Sequence, residues 1–198
     1  MKIAVVGNGT SLNGSNLGRK IDSCDEVMRF TKFTTEPPYQ KDVGTRTTIW
    51  STYINLPINL RNIRLVLFPM YGVPEAGYDL LKARREKLLS RCIPLSIPLI
   101  TIPDHIIEIA YQGMGITEDE RAAYYKPTSG LVSLTYLIRH MPDAEIYVCG
   151  FDGYCGPRIH YYENRHMNRS ELRRVKPEKE RQYFKALLKN DRVQRLQV

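Results

Sequence analysis

The sequence predicts an α/β fold: a mostly parallel sheet with helices flanking it, in a single domain spanning 1–198. Three observations predict it. Short apolar runs alternate with longer amphipathic or charged segments along most of the chain, the rhythm of strands joined by helical crossovers. A glycine-rich break follows the first apolar run at once, as at the first strand-to-helix turn of many nucleotide-binding sheets. The 198 residues are 42% hydrophobic and 25% charged, which fits one core in one domain.

The elements follow in order. Residues 2–6 (Lys-Ile-Ala-Val-Val) are apolar without alternation, as expected of a strand buried on both faces. Gly7-Asn8-Gly9-Thr10-Ser11 breaks that strand, and a short amphipathic helix is expected near 14–22. Residues 26–30, 47–50 and 64–68 read as further strands. Residues 74–91, charged and Leu-bearing, read as a helix. Residues 94–103 enclose an apolar strand between prolines. Asp104 is expected to cap a helix reaching Tyr111. The polar, aromatic stretch 113–126 reads as a loop or lid. Residues 128–140 form a helix with hydroxyls at its start, 144–149 a buried strand, 150–157 a turn, and 177–189 the final helix.

The formal charge is +8 and sits at one end. From Arg158 onward twelve Lys and Arg meet five Asp and Glu, so the earlier residues are nearly neutral. A basic flank suits an anionic partner or is simply a solvated helix face. No recognised nucleic-acid motif accompanies it, so a nucleic-acid partner is not expected. Cys24, Cys92, Cys149 and Cys155 form no C-x-x-C, which argues against a zinc site and for a reducing compartment. No secretory signal or apolar stretch of about 18 residues occurs. The expected location is cytoplasmic, with peripheral contact to the inner membrane through the basic C-terminal region.

Four patterns carry chemistry. Gly7-Asn8-Gly9 lets backbone approach a nucleotide, but Leu12 stands where a dinucleotide fingerprint needs its third glycine, and no P-loop Lys follows. Residues 39–48 (Tyr-Gln-Lys-Asp-Val-Gly-Thr-Arg-Thr-Thr) read as a turn into a strand, with Asp42 placed to accept loop amides. Pro127-Thr128-Ser129-Gly130 opens a helix, where free amides suit a carboxylate or phosphate; a plain Ser/Thr cap explains the same residues. Gly150-Phe151-Asp152-Gly153-Tyr154 is followed by His160-Tyr161-Tyr162-Glu163, whose hydroxyls and imidazole can donate to an anionic leaving group.

In this order the segments resemble the sialyltransferases of animals and their bacterial relatives. Residues 5–48, including Ile21-Asp22, Val27-Met28-Arg29 and the Asp42–Thr48 block, look like that family's long motif. Residues 127–130 with 148–151 look like its short motif, and His160-Tyr161-Tyr162-Glu163 like its third. The resemblance implies a GT-A-like variant of a Rossmann-like sheet. It implies inverting, metal-independent transfer of an acidic sugar from CMP-sialic acid to a glycan or glycolipid hydroxyl, with no cofactor beyond the donor. Gly7, Asn8 and Gly9 are then expected at the donor phosphate and ribose, and Thr128, Ser129 and Gly130 at the cytidine and carboxylate. Gly150, Phe151 and Asp152 are expected beside the nucleotide, Thr31 near the sugar, and His160, Tyr161 and Tyr162 at the departing phosphate.

The chain departs from the pattern in three places. The pair of cysteines that joins the long and short motifs in secreted members of the family falls here on Ile3 and about Pro142, which agrees with a reducing compartment. Thr31 replaces an asparagine near the sugar, which raises CMP-Kdo (3-deoxy-manno-octulosonate) as an alternative donor. The family's catalytic histidine stands five residues before a glutamate. Here Glu180 matches the glutamate, but Val175 or Lys176 stands in the histidine's place. His166, with Glu171 five residues on, is the remaining histidine expected to serve as base. A catalytically impaired nucleotide-binding homologue is the alternative reading that Val175 and Lys176 motivate.

Overall fold

The computed structural model of the protein describes residues 1–70, 75–155, 158–163 and 175–197. Its strands are β1 (Lys2–Val6), β2 (Glu26–Phe30), β3 (Ile49–Ser51), β4 (Leu65–Pro69), β5 (Leu99–Ile102), β6 (Glu145–Cys149) and β7 (Val193–Arg195). They form one sheet in the order β5-β4-β3-β2-β1-β6-β7. Every neighbouring pair is parallel. The chain walks outward from β1 to β5, then returns to β1's other side for β6. The strand order therefore switches between β1 and β6, and a crevice opens above their C-terminal ends.

The helices are α1 (Gly18–Asp22), α2 (Gln40–Val43), α3 (Glu75–Cys92), α4 (Asp104–Met114), α5 (Glu118–Ala122), α6 (Ser129–His140) and α7 (Pro177–Leu187). On one sheet face, α4, α6 and α7 cover Ile3, Val5 and Met28. On the other, Ala4, Val6 and Val27 pack with Ile21 of α1 and Val43 of α2, while α3 covers Trp50, Val66 and Phe68. Burial on both faces explains why β1 reads as an unbroken apolar run. Each fully buried Ile or Val contributes about 1.5–3 kcal/mol relative to exposure.

Several boundaries differ from expectation. Helix α1 is confined to Gly18–Asp22, because Gly14 (φ 77°) and Asn16 (φ 53°) take left-handed backbone that a right-handed helix excludes. Pro103, not Asp104, is the N-cap of α4; Asp104 lies in the first turn, where the helix dipole favours a carboxylate. Residues 113–126 are not a loop throughout. α4 runs to Met114 and stops at left-handed Gly115, and α5 then starts from a capping box in which Thr117 and Glu120 satisfy each other's amides. The edge strand β7 was not expected at all. No helix among the described residues is long and apolar enough to cross a membrane.

Two aspartates and an arginine lock the segment 39–48 onto the rest. Asp42 accepts from the amides of Gly14 and Asn16 (2.9 Å each), so it fixes the loop after β1 rather than its own turn. Asp22 accepts from the amides of Thr45 and Arg46. Arg29, buried and 1% exposed, donates to the carbonyls of Val43 (2.6 Å) and Arg46 (3.0 Å). These bonds give Asp22, Arg29 and Asp42 structural work and hold the 8–16 loop beneath the crevice.

Candidate functional site

A pocket of about 490 Å³ occupies the crevice, within the usual range for small-molecule sites. Its floor is two loops zipped together as the sheet runs out. The Gly7 amide donates to Cys149 O (2.8 Å) and the Gly9 amide to Gly150 O (2.9 Å). Gly150 has φ of 69°, and a Cβ on Gly7 would collide with the Gly150 carbonyl. A Cβ on Gly9 would strike the Asp152 carboxylate. Glycine is thus required here because two backbones touch.

Asp152 is in the pocket wall, but its carboxylate is occupied. It accepts from the Ser11 amide (2.7 Å), from the Ser11 hydroxyl, and from Thr10 Oγ1 (3.4 Å). It caps the 10–12 turn from outside. Asn8 donates its amide to Lys32 O (3.0 Å), tying the loop after β1 to the end of β2. Thr31, at φ 44°, lines the same wall, and its carbonyl accepts from the Trp50 indole (3.0 Å).

The opposite wall is the N-terminus of α6. Ser133 hydrogen-bonds Ser51 (2.7 Å) and Thr135 bonds Tyr183 (2.9 Å), which anchors this helix to β3 and α7. Thr128 is its N-cap, but its side chain makes no capping bond. The Thr128 amide instead donates to Glu180 of α7 at 2.7 Å. Glu180 is 5% exposed and lines the pocket. Burial raises its carboxyl to about 7, partly offset by the Thr128 bond. Phe151 stacks on Phe184 (5.1 Å, 8°) and meets Phe30 edge-on. A Cβ on Gly130 would stand 3.0 Å from the Phe151 ring. The result is a flat aromatic surface beside a helix N-terminus.

His160 and Tyr162 close a third side, their rings stacked at 5.2 Å. His160 Nδ1 lies 3.1 Å from the Glu163 carboxylate, close enough for an ion pair but poorly angled for a hydrogen bond. Tyr162 donates to Lys32 O (3.0 Å), and burial pushes its phenol up and keeps it neutral. Tyr161 corrects an expectation. It is 1% exposed and absent from the pocket wall. Its hydroxyl donates to Thr34 O (2.5 Å) and accepts from the Thr34 amide (3.1 Å). A phenol with both roles filled by backbone is a brace, not a phosphate donor.

The structure thus gathers Gly7, Asn8, Gly9, Thr31, Thr128, Ser129, Gly130, Gly150, Phe151, Asp152, His160 and Tyr162 around one pocket. His166 and Glu171 lie outside the described residues. Val175 lines the pocket, whereas Lys176 turns away to the Tyr125 ring (3.9 Å) and Glu120 (3.5 Å). Sequence reasoning missed Lys32, Lys126, Arg158 and Tyr154 in the wall and the capping role of Glu180. Lys32 and Lys126 flank motifs that were read, so their adjacency was the available signal. The cations make the wall attractive to an anion, and the Asp152 oxygens are already occupied by donors from Ser11 and Thr10.

Comparison with known proteins gives a consistent picture. Residues 1–67 match the family described as glycosyltransferase family 29 (sialyltransferase). A mouse alpha-N-acetylgalactosaminide alpha-2,6-sialyltransferase 2 is 35% identical over 112 residues, 52% of this chain and 28% of that one. A mouse CMP-N-acetylneuraminate-beta-galactosamide-alpha-2,3-sialyltransferase 1 is 27% identical over 170 residues, 82% of this chain and 48% of that one. The chain thus spans less than half the length of these relatives. The crystal structure of a mammalian sialyltransferase superimposes with a TM-score of 0.67 at 19% identity, covering 99% of this chain and 68% of that one. The same fold was solved in complex with Gal-beta-1-3GalNAc-ortho-nitrophenol.

Proposed function

We propose that the chain is a member of the sialyltransferase family and that it transfers an acidic sugar from a CMP-activated donor, CMP-sialic acid, to a hydroxyl of a glycan. The observation that carries this reading is the convergence on one pocket of the 7–9 loop, the 128–130 helix start, Phe151 and the His160–Tyr162 stack. In this reading the cytidine lies against Phe151 and the α6 start. The phosphate faces Asn8 and His160, and the sugar reaches toward Thr31.

Transfer is a single displacement with inversion. The acceptor oxygen attacks the anomeric carbon opposite the CMP phosphate, a base takes the acceptor proton, and the C–O bond to phosphate breaks. His160 and Tyr162 would donate to the leaving phosphate, and Lys32 and Arg158 would balance its charge. His166 is the proposed base, a role worth roughly 10²–10⁴-fold in rate. The chemistry of the wall supports metal independence: its cations can meet the charge of a leaving monophosphate, and both Asp152 oxygens are already engaged. Four free thiols, three of them buried, support a reducing, cytoplasmic location.

Calorimetry with CMP, UMP and GDP tests the donor class. CMP is expected to bind most tightly; equal or stronger binding of GDP overturns the assignment. Activity in chelator is expected to match activity with added Mg²⁺ or Mn²⁺. A second reading, a nucleotide-binding homologue with an impaired centre, is favoured by Val175, an aliphatic residue in the pocket where the family pattern has its histidine. CMP binding without transfer or hydrolysis of any CMP-sugar would select it.

A further inference from the structure

The α6 N-terminus already holds a buried carboxylate before any ligand arrives. Glu180 reaches it from α7, accepts from the Thr128 amide at 2.7 Å, and is 5% exposed. The neighbouring residues Ser129 and Gly130 line the pocket at the same helix end. A helix N-terminus stabilises one negative charge well; a second within the same turn is repelled by the first. We infer that Glu180 is a positioning residue that takes up a proton from solvent when the anionic donor docks, so that donor binding at this site is proton-coupled. This rests on the donor reading above.

The surroundings fit that role. Charged groups packed near Glu180 are directed elsewhere among the described residues. Lys179 bonds Gly115 O and Glu120 (2.6 Å each), and Lys176 also faces Glu120. Arg181 donates to Gly153 O (3.0 Å). Lys126 lies over the Tyr53 ring at 5.2 Å, and Asp152 is held by Ser11. Tyr154 stays neutral, its phenol pushed up by burial and by Glu180's own charge. No cation among the described residues therefore holds Glu180 ionised. Burial already lifts its carboxyl to about 7, so a further anion at the helix start carries it above neutrality. Protonation leaves the acceptor oxygen for Thr128 in place, so the helix start keeps its geometry while its charge is released.

The probe is a non-hydrolysable CMP-sialic acid analogue, whose phosphodiester and carboxylate do not titrate near neutrality. Calorimetry at pH 7.5 in two buffers of different ionisation heat reads the protons taken up. The wild-type protein is expected to take up a substantial fraction of one proton. Its Kd should tighten as pH falls from about 8 to 7, by up to tenfold per unit. Glu180→Gln keeps the acceptor oxygen; it should bind with no uptake and a flat pH profile. Glu180→Ala lacks the acceptor and should bind weakly at every pH. Wild-type binding without proton uptake overturns the inference and leaves the donor reading standing, as does uptake that persists in Glu180→Gln. No binding of the analogue by wild type at any pH removes both.

Discussion

Tyr161 sits in a sequence signature for phosphate contact, yet its hydroxyl is bonded to both backbone groups of Thr34. The two assignments predict different outcomes. Tyr161→Phe is expected to lower stability by about 1–3 kcal/mol, the usual cost of stranding buried polar partners. It should leave kcat within a few-fold, read by thermal denaturation and a transfer assay on the same preparation. A thousand-fold fall in kcat without loss of stability would return Tyr161 to the leaving group. Gly7 is the reverse case, a residue whose importance lies in having no side chain. Its Cβ would overlap the Gly150 carbonyl, so Gly7→Ala must part the two loops that floor the pocket. The expected cost is about 1–3 kcal/mol in stability, with CMP affinity falling alongside. Unchanged CMP affinity would mean that the pocket floor is not the donor site.

At the scale of elements, segment 113–126 decides between a lid and a fixed wall. Helix α5 has a complete capping box, and its Glu120 is tied to Lys179 of α7 and to Lys176, the N-cap of that helix. Those bonds hold the Glu120 carboxyl down at about 2. Thr117→Ala should therefore cost about 1 kcal/mol of stability and leave CMP affinity unchanged; a changed affinity would restore the lid. The sequence did carry the capping box, as Thr117 three residues before Glu120, but the polar composition around it masked the signal. Strand β1 was legible because burial on both faces leaves an unbroken apolar run, and β2 and β6 because Val27-Met28 and Ile146–Cys149 leave shorter ones. β7 was not, since a three-residue edge strand with one buried side chain leaves no pattern to read. The pocket followed the same division. Residues next to glycine turns and helix starts were found by local pattern. Glu180, matched only through the family resemblance, reaches the α6 start by tertiary packing of α7, which local pattern does not encode.

For the whole molecule, Glu180 sets how stability depends on pH. Its carboxyl titrates at about 7 in the folded chain, against 4.5 for an unperturbed glutamate, with burial as the largest cause. Between those values the folded chain holds the proton more firmly than the unfolded one, so stability falls as pH rises from about 4.5 to 7. The penalty is complete above 7 and absent below 4.5. It amounts to about 3 kcal/mol at most, from roughly 1.4 kcal/mol for each pH unit between the two values. Glu120 acts oppositely, since its depressed carboxyl favours folding above pH 4.5 and loses that contribution as pH falls toward 2. The wild-type optimum should thus lie on the acid side of neutrality. Glu180→Gln removes the buried charge and keeps a neutral acceptor for the Thr128 amide, as the protonated carboxyl does, so above pH 7 it should escape nearly the whole penalty. A gain of about 3 kcal/mol corresponds to a Tm higher by about 6–12 °C at pH 8 for a chain of this size. At pH 4.5, where the wild-type carboxyl is already neutral, the two Tm values should coincide. Melting both proteins at the two pH values is the measurement. A Tm for Glu180→Gln below wild type at pH 8 would mean that the ionised carboxylate stabilises the α6 start more than its burial costs.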